Sequence, residues 1–390
     1  MIKYYLKKIW IAICYLFPLR KKVIFCNFNG RGMGDDPKYI ALYLLNNRPD
    51  IKIIWCLSDI TNELPKGVYP VKYGSWGFYY HQLTAKVRIN NIKHGIFVPK
   101  RKDQFYIQTW HATFGLKKIE QDAENLSDTY IKNAKRDAAQ TDLMYSNNDY
   151  RCLLYIRSFW YNGPVIKCDV PRVSILLNPP HYLREHVYKS LNIPNDKHII
   201  LYAPTFRKDH NLTSYIYNFN AIINAANKRF KKDYIVLYRL HPNIAYMNDE
   251  IKLSNGHIIM ASDYPDMQEL LALADILITD FSASMFDFGI LKKPVFLFAK
   301  DYDNYINSDR SLNLPIESLP FSMSKTEEEL CRNILNFNNH SYQEEVNLFY
   351  KKIGLIDHGH GDEVLANIVA SMINGSFVSE LTNYQIFSND

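Results

Sequence analysis

Short apolar runs alternate with longer polar-and-apolar stretches along almost the whole chain. Val23–Phe28, Lys52–Cys56, Gly67–Tyr73, Lys86–Asn90 and Gln104–Gln108 read as strands, and Pro37–Asn46 between the first two reads as a helix. Asp122–Thr141 is polar and helical, and Met144-Tyr-Ser146 is a short strand before the aromatic helix Tyr150–Tyr161. Regular structure then stops between Cys168-Asp-Val-Pro-Arg172 and Leu177-Asn-Pro-Pro180, where paired prolines cannot continue either element. The alternation restarts with strands at His198–Tyr202, Tyr234–Leu240, Ile258–Met260, Ile276–Thr279 and Pro294–Phe298. Helices fall at Phe219–Phe230, Met267–Ala274, Ser284–Leu291, Thr326–Asn336 and Asp362–Ile373. This pattern predicts an α/β chain of two doubly wound, Rossmann-like halves facing a cleft. We place the domains at 23–185 and 186–374, with a basic segment at 1–22 and a loose tail at 375–390.

Composition narrows the class. The chain has 390 residues, and 47% are apolar, enough for two cores and against large-scale disorder. Six scattered cysteines with no C-x-x-C pair suit reduced, structural thiols better than a disulfide frame or a zinc site. The net charge of +6 is entirely local: Lys3, Lys7, Lys8, Arg20, Lys21 and Lys22 face no acid before residue 23, and the remainder sums to zero. A basic end on a neutral body argues against a nucleic-acid binder. Ile2, Leu6, Ile9, Trp10, Ile13, Leu16 and Phe17 recur at helical spacing beside those lysines. They predict an amphipathic helix on an anionic membrane surface, with packing onto the protein's own body as the competing reading.

Candidate chemistry collects where apolar strands end, the side of an open α/β sheet that binds ligands. Gln108-Thr-Trp-His-Ala-Thr-Phe-Gly-Leu-Lys-Lys118 presents His111, a side chain suited to taking a proton near neutral pH, followed by Thr113, Lys117 and Lys118. Leu201-Tyr-Ala-Pro-Thr-Phe-Arg207 ends in Thr205 and Arg207, and Val236-Leu-Tyr-Arg-Leu-His-Pro242 ends in Arg239 and His241 on one face of an extended chain. Ile276-Leu-Ile-Thr-Asp-Phe-Ser-Ala-Ser284 runs a buried strand into Asp280, Ser282 and Ser284. Serine helix caps, a strand-end histidine and structural arginines are the plain alternatives; their joint recurrence favours an anion site. Asn29-Gly-Arg-Gly-Met-Gly-Asp-Asp36 is glycine-rich but lacks a Walker or dinucleotide fingerprint. Asp357-His-Gly-His-Gly-Asp362 reads as a loop rather than a metal site.

These segments together resemble the CDP-glycerol glycerophosphotransferase family of teichoic-acid and capsule polymer synthases. The family's Trp-His-Gly-Thr-Pro-Leu-Lys motif is similar to Trp110-His-Ala-Thr-Phe-Gly-Leu-Lys117, and its Gly-x-Pro-Arg-Asn-Asp motif to Asp169-Val-Pro-Arg-Val-Ser174. Tyr202-Ala-Pro-Thr-Phe-Arg207, Arg239-Leu-His-Pro242 and Thr279-Asp-Phe-Ser-Ala-Ser-Met-Phe-Asp287 follow the family closely. The resemblance implies a GT-B-like fold and a peripheral enzyme on the cytoplasmic face of the bacterial membrane. Such an enzyme moves an alditol phosphate, glycerol phosphate first among them, from a CDP-activated donor to a hydroxyl of a lipid-linked or polymer acceptor and releases CMP. It implies His111 as general base and His241 as its counterpart at the leaving CMP, with Arg239 on the diphosphate. Thr205, Arg207, Asp280, Ser282 and Ser284 would hold the donor, and Thr113, Lys117 and Arg172 complete the substrate contacts. No tightly bound cofactor is implied, and a divalent cation carried by substrate phosphates is compatible with it. Where the family shows Gly-x-Ala-Ser-Glu-Arg, this chain has Gly359-His-Gly-Asp-Glu-Val364, so His360 stands in for a cation and the donor's identity is in question. A nucleotide-sugar glycosyltransferase on the same fold, and a membrane scaffold without turnover, are the alternatives.

Overall fold

The computed structural model describes residues 2–61, 64–207, 214–216, 218–241, 244, 257–306 and 311–388. The chain forms two compact units: Met1–His111, Ile119–Ser174 and Ile356–Asp390 make the first, Ala112–Lys118 and Ile175–Leu355 the second.

The first unit is built on β1 (Arg20–Cys26), β2 (Lys52–Leu57), β3 (Val68–Lys72), β4 (Ala85–Asn90) and β5 (Phe105–Gln108). Their order is β3-β2-β1-β4-β5, and every neighbouring pair is parallel. Parallel strands covered on both faces need continuous apolar runs; Val23, Ile24 and Phe25 are accordingly fully buried. A parallel bridge from Ile107 to Leu143 leads on to β6 (Met144–Ser146), which pairs with β7 (Val165–Lys167).

The second unit contains β8 (His198–Tyr202), β9 (Tyr234–Tyr238), β10 (Ile258–Met260), β11 (Ile276–Thr279), β12 (Val295–Phe298) and β13 (Ser322–Ser324). The order β10-β9-β8-β11-β12-β13, parallel throughout, is the doubly wound arrangement with the strand order reversing between β8 and β11. The corresponding reversal in the first unit lies between β1 and β4. The loops leaving those strands are therefore where each unit can hold a ligand.

Three expectations change. The last long helix, Gly361–Asn374, belongs to the first unit, not to the second half of the chain. Its glycine explains the fit: a Cβ on Gly361 would stand 2.2 Å from the Val170 carbonyl carbon, so only a bare backbone can lie that close. Residues after 375 are not a loose tail, because a helix (Phe377–Leu381) and β14 (Gln385–Phe387) follow, and β14 pairs antiparallel with β7. Ala112–Lys118, expected with the first half, packs in the second unit.

The N-terminal helix, Ile2–Tyr15, divides its two faces. Cys14 is fully buried, with Trp10 and Ile11 against the same core; Trp10 also donates to the Trp76 carbonyl at 2.9 Å. Leu6, Ile9 and Ile13 stay exposed, as does Leu16 just beyond it. No helix among the described residues is long and apolar enough to cross a membrane.

Candidate active site

In the first unit the loops after β1, β4 and β5 converge on His111. Asn91, directly after β4 and wholly buried, organises the β1 loop. Its Oδ1 accepts from the Phe28 N–H at 2.8 Å, and its Nδ2 donates to Asn27 Oδ1 at 2.7 Å and Asp35 Oδ2 at 2.8 Å. The loop needs left-handed backbone at Gly30, φ 98°, and a Cβ there would stand 2.6 Å from the Ser58 nitrogen. Asp35 then opens the helix Asp35–Asn47 and accepts from Arg172 Nη1 at 2.9 Å, while Asp36 accepts from the Arg172 N–H at 2.9 Å and the Tyr145 hydroxyl at 3.0 Å. Burial pushes the Asp36 carboxyl well above the usual range, against the pull of Arg172.

The half-buried His111 imidazole lies on the Trp110 indole, ring centres 4.5 Å apart, with Phe28 at 5.3 Å. Its Nδ1 is 3.0 Å from the Asn91 carbonyl oxygen. A carbonyl can only accept, so Nδ1 carries the hydrogen and Nε2 of the neutral ring carries the lone pair. Burial holds the imidazole down to about 4; the Asn91 bond and Asp35 oppose it, and Arg172 and Arg151 reinforce it. At neutral pH the ring is an uncharged proton acceptor.

In the second unit the loops after β8 and β11 lie side by side. Asp280 Oδ1 accepts from the N–H groups of Thr205 at 2.8 Å and Phe281 at 2.6 Å. Its Oδ2 takes Arg207 Nη1 at 2.9 Å. The other edge of that guanidinium forks onto Asp301, at 2.6 and 2.9 Å, and Nη1 also donates to the Thr205 carbonyl. Burial opposes the Arg207 charge, but Asp280 and Asp301 outweigh it and hold its proton more tightly than usual. Within this frame the buried Thr205 hydroxyl has no hydrogen-bond partner, and the half-buried Ser282 and Ser284 hydroxyls bond each other at 2.9 Å. His241, after β9, rests on Phe206 with ring centres 4.8 Å apart.

The family model for CDP-glycerol:poly(glycerophosphate) glycerophosphotransferases matches residues 11–371. The chain belongs to this family. It is 31% identical over 365 residues to a teichoic acid poly(glycerol phosphate) polymerase of Staphylococcus epidermidis, covering 90% of this chain and 50% of that one. It is 30% identical to the Bacillus subtilis protein of the same name, covering 90% and 48%. The chain thus spans about half the length of these two relatives. With the teichoic acid glycerol-phosphate transferase of Staphylococcus aureus it shares 27% identity over 90% of this chain and 93% of that one. A solved structure of the wall teichoic acid polymerase TagF superposes with a TM-score of 0.82 at 28% identity, covering 94% of this chain and 93% of that one. The α/β fold with parallel sheets is therefore GT-B-like, as the resemblance implies.

Against that family background the candidate residues divide. His111 and Arg172 meet around Asp35 in the first unit; Thr205, Ser282, Ser284 and Asp280 meet in the second. Four expected substrate contacts are otherwise engaged. Arg207 donates to two carboxylates and a carbonyl, and Asp280 ties two loops together. The buried Arg239 donates through Nη1 to the carbonyls of Ala261 at 2.8 Å and Tyr264 at 2.6 Å, which ties down β10's exit. Thr113 is buried and donates to Asp287, whose other oxygen takes Gln268 at 2.9 Å. Lys117 lies 5.4 Å from the Tyr305 ring centre, on a segment held by Asn313. Phe114, a departure from the family's motif, packs in the second unit's core at 4.2 Å from Phe286. The exposed His360 belongs to the first unit, and its N–H donates to Asp169 at 3.1 Å.

Sequence reasoning missed Asn91, Asp35, Asp36 and Asp301. Asn90-Asn91 directly after an apolar strand, and Asp35-Asp36 at a helix start, were the available signals.

Proposed function

We propose that this protein transfers an alditol phosphate, glycerol phosphate first, from a CDP-activated donor to a hydroxyl of a lipid-linked or polymer acceptor. The observation that carries the reading is the 3.0 Å contact of His111 Nδ1 with the Asn91 carbonyl oxygen, which leaves Nε2 to take a proton, at a strand end of a chain in the glycerophosphotransferase family.

In this reading the acceptor hydroxyl gives its proton to His111 Nε2 as its oxygen bonds to the alditol-bearing phosphorus. The bond from that phosphorus to the bridging oxygen breaks, and the electron pair leaves on CMP. Phosphoryl transfer needs position and charge stabilisation more than covalent help. Thr205, Ser282 and Ser284 are assigned to the donor phosphates, because the Thr205 hydroxyl has no partner and the two serine hydroxyls bond only within their own turn. His241 is assigned to the leaving phosphate. Arg207, Asp280 and Arg239 serve by keeping those loops rigid. No resident cofactor is part of the proposal; a divalent ion would arrive with the substrate phosphates.

The exposed Leu6, Ile9, Ile13 and Leu16, beside Lys7 and Lys8, are assigned to an anionic membrane surface, where a lipid-linked acceptor would be met. CMP release from CDP-glycerol and from CDP-ribitol, each with a glycerol-phosphate-terminated lipid acceptor, tests the function. Release from one or both supports it; silence with both rejects the donor class.

A further inference from the structure

Several arginines in the first unit are held by acceptors. Arg88 donates to the carbonyls of Gln82, Val98 and Pro99, Arg101 to those of Phe17 and Leu83, and Arg172 to Asp35. Arg151, on the helix Asp149–Ser158, is different. Its side chain has no exposed surface, and Nε, Nη1 and Nη2 all lack a hydrogen-bond partner. The guanidinium instead lies 4.4 Å from the ring centre of Tyr155 and 5.6 Å from that of Phe159. The Tyr155 hydroxyl is a polar neighbour that meets the guanidinium only loosely, short of full hydrogen-bond geometry.

A buried charge without acceptors is among the most destabilising arrangements a fold can hold, and two aromatic faces compensate it only in part. Its position suggests what offsets the remainder. Phe159 meets the Trp110 indole edge-on, ring centres 4.8 Å apart, and Trp110 in turn stacks on His111. The Arg151 charge reaches the imidazole, adding to the effect of Arg172. Trp110 itself has left-handed backbone, φ 55°, which a bulky side chain rarely adopts.

We propose that Arg151 is an anion anchor, receiving a phosphate oxygen of the acceptor when the Trp110–Phe159 pair opens, and so orienting the neighbouring hydroxyl toward His111. A guanidinium with every donor uncommitted matches a tetrahedral phosphate through paired hydrogen bonds. The inference rests on the alditol-phosphate transfer proposed above. Phosphate could come from the acceptor or from the donor's diphosphate, so the test separates them.

Calorimetric titration of the full chain with sn-glycerol 3-phosphate, and separately with CDP-glycerol, is compared for wild type, Arg151→Lys and Arg151→Met. Wild type should bind glycerol 3-phosphate, Arg151→Lys should bind it more weakly, and Arg151→Met at least roughly tenfold more weakly. CDP-glycerol affinity should stay within about twofold, and the Arg151→Met melting temperature should hold or rise, because an unpaired buried charge has been removed. A melting temperature that falls, or failure of Arg151→Met to fold, would assign Arg151 to the fold and overturn the proposal. So would absence of glycerol 3-phosphate binding by wild type, or loss of CDP-glycerol affinity in its place. In turnover, CMP release with an unchanged acceptor KM in Arg151→Lys and Arg151→Met rejects the anchor and leaves the transfer standing. Arg151-dependent phosphate binding without CMP release from any CDP-alditol keeps the anion site and rejects the transfer.

Discussion

Arg207→Met separates a residue that holds the site from one that touches the substrate. In the folded chain the guanidinium is buried and makes a fork onto Asp301, a bond to buried Asp280 and another to the Thr205 carbonyl. Replacing it with methionine keeps most of the volume but leaves two carboxylates facing each other without their cation. Removing one partner of a buried ion pair costs about 3–5 kcal/mol. For a chain of 390 residues that corresponds to a melting temperature lower by roughly 5 °C. Adding Asp280→Asn should recover part of the loss, because an amide oxygen can still accept from the Thr205 and Phe281 N–H groups while one uncompensated charge is gone. Differential scanning fluorimetry of both variants, with CDP-glycerol affinity measured on folded protein, gives the answer. The reasoning predicts a large stability loss and a donor affinity changed by less than about threefold. An unchanged melting temperature with a hundredfold weaker donor would refute it and return Arg207 to the phosphates.

Three further outcomes follow from particular contacts. His111 titrates at about 4 when folded against 6.5 for an ordinary histidine, so the unfolded chain takes the proton first as pH falls. The stability of the neutral ring is complete above pH 6.5 and is lost between 6.5 and 4. The wild type should therefore lose about 2 kcal/mol relative to His111→Gln between pH 7.5 and pH 5, read by urea titration; parallel curves would contradict the neutral-ring assignment. Gly361→Ala puts a methyl 2.2 Å from the Val170 backbone and should destabilise by about 1–3 kcal/mol, whereas the same change at Gly32, with nothing within 4 Å of its Cβ, meets only backbone strain. Replacing Leu6, Ile9 and Leu16 together by serine should abolish sedimentation with anionic vesicles at unchanged melting temperature, because these side chains are exposed. Retained vesicle binding would move the membrane contact elsewhere. Deleting the helix outright is a poorer test, since Trp10 and Cys14 are part of the core.

Most strands of both sheets were readable because they are short apolar runs; Ser322–Ser324, which is not apolar and is partly exposed, was not. The helix Trp76–Thr84 was not: Trp-Gly-Phe-Tyr-Tyr carries little helical periodicity, and the Ser75 cap, accepting from the Phe78 N–H at 3.2 Å, is what starts it. The return of Gly361–Asn374 to the first unit depends on a backbone contact between residues far apart in sequence, which no local pattern encodes. At the candidate site, His111 stands out by its type and its place at a strand end, and the structure puts it against Asn91 and Phe28. The arginines are ambiguous for a physical reason. A guanidinium binds carboxylates, carbonyls and phosphates with the same donors, so Arg207 and Arg239 look alike in sequence whether they meet a ligand or a loop. Arg151 carries no local signal at all, since nothing in the residues around it marks an arginine inside a helix as buried.

The central claim is that His111 takes the acceptor's proton and leaves the donor alone. Its most direct measurement is CMP release by His111→Ala beside equilibrium binding of CDP-glycerol to the same variant. Turnover should fall to background, with a donor dissociation constant close to that of wild type. Turnover that survives, or donor binding that disappears along with it, would contradict the assignment.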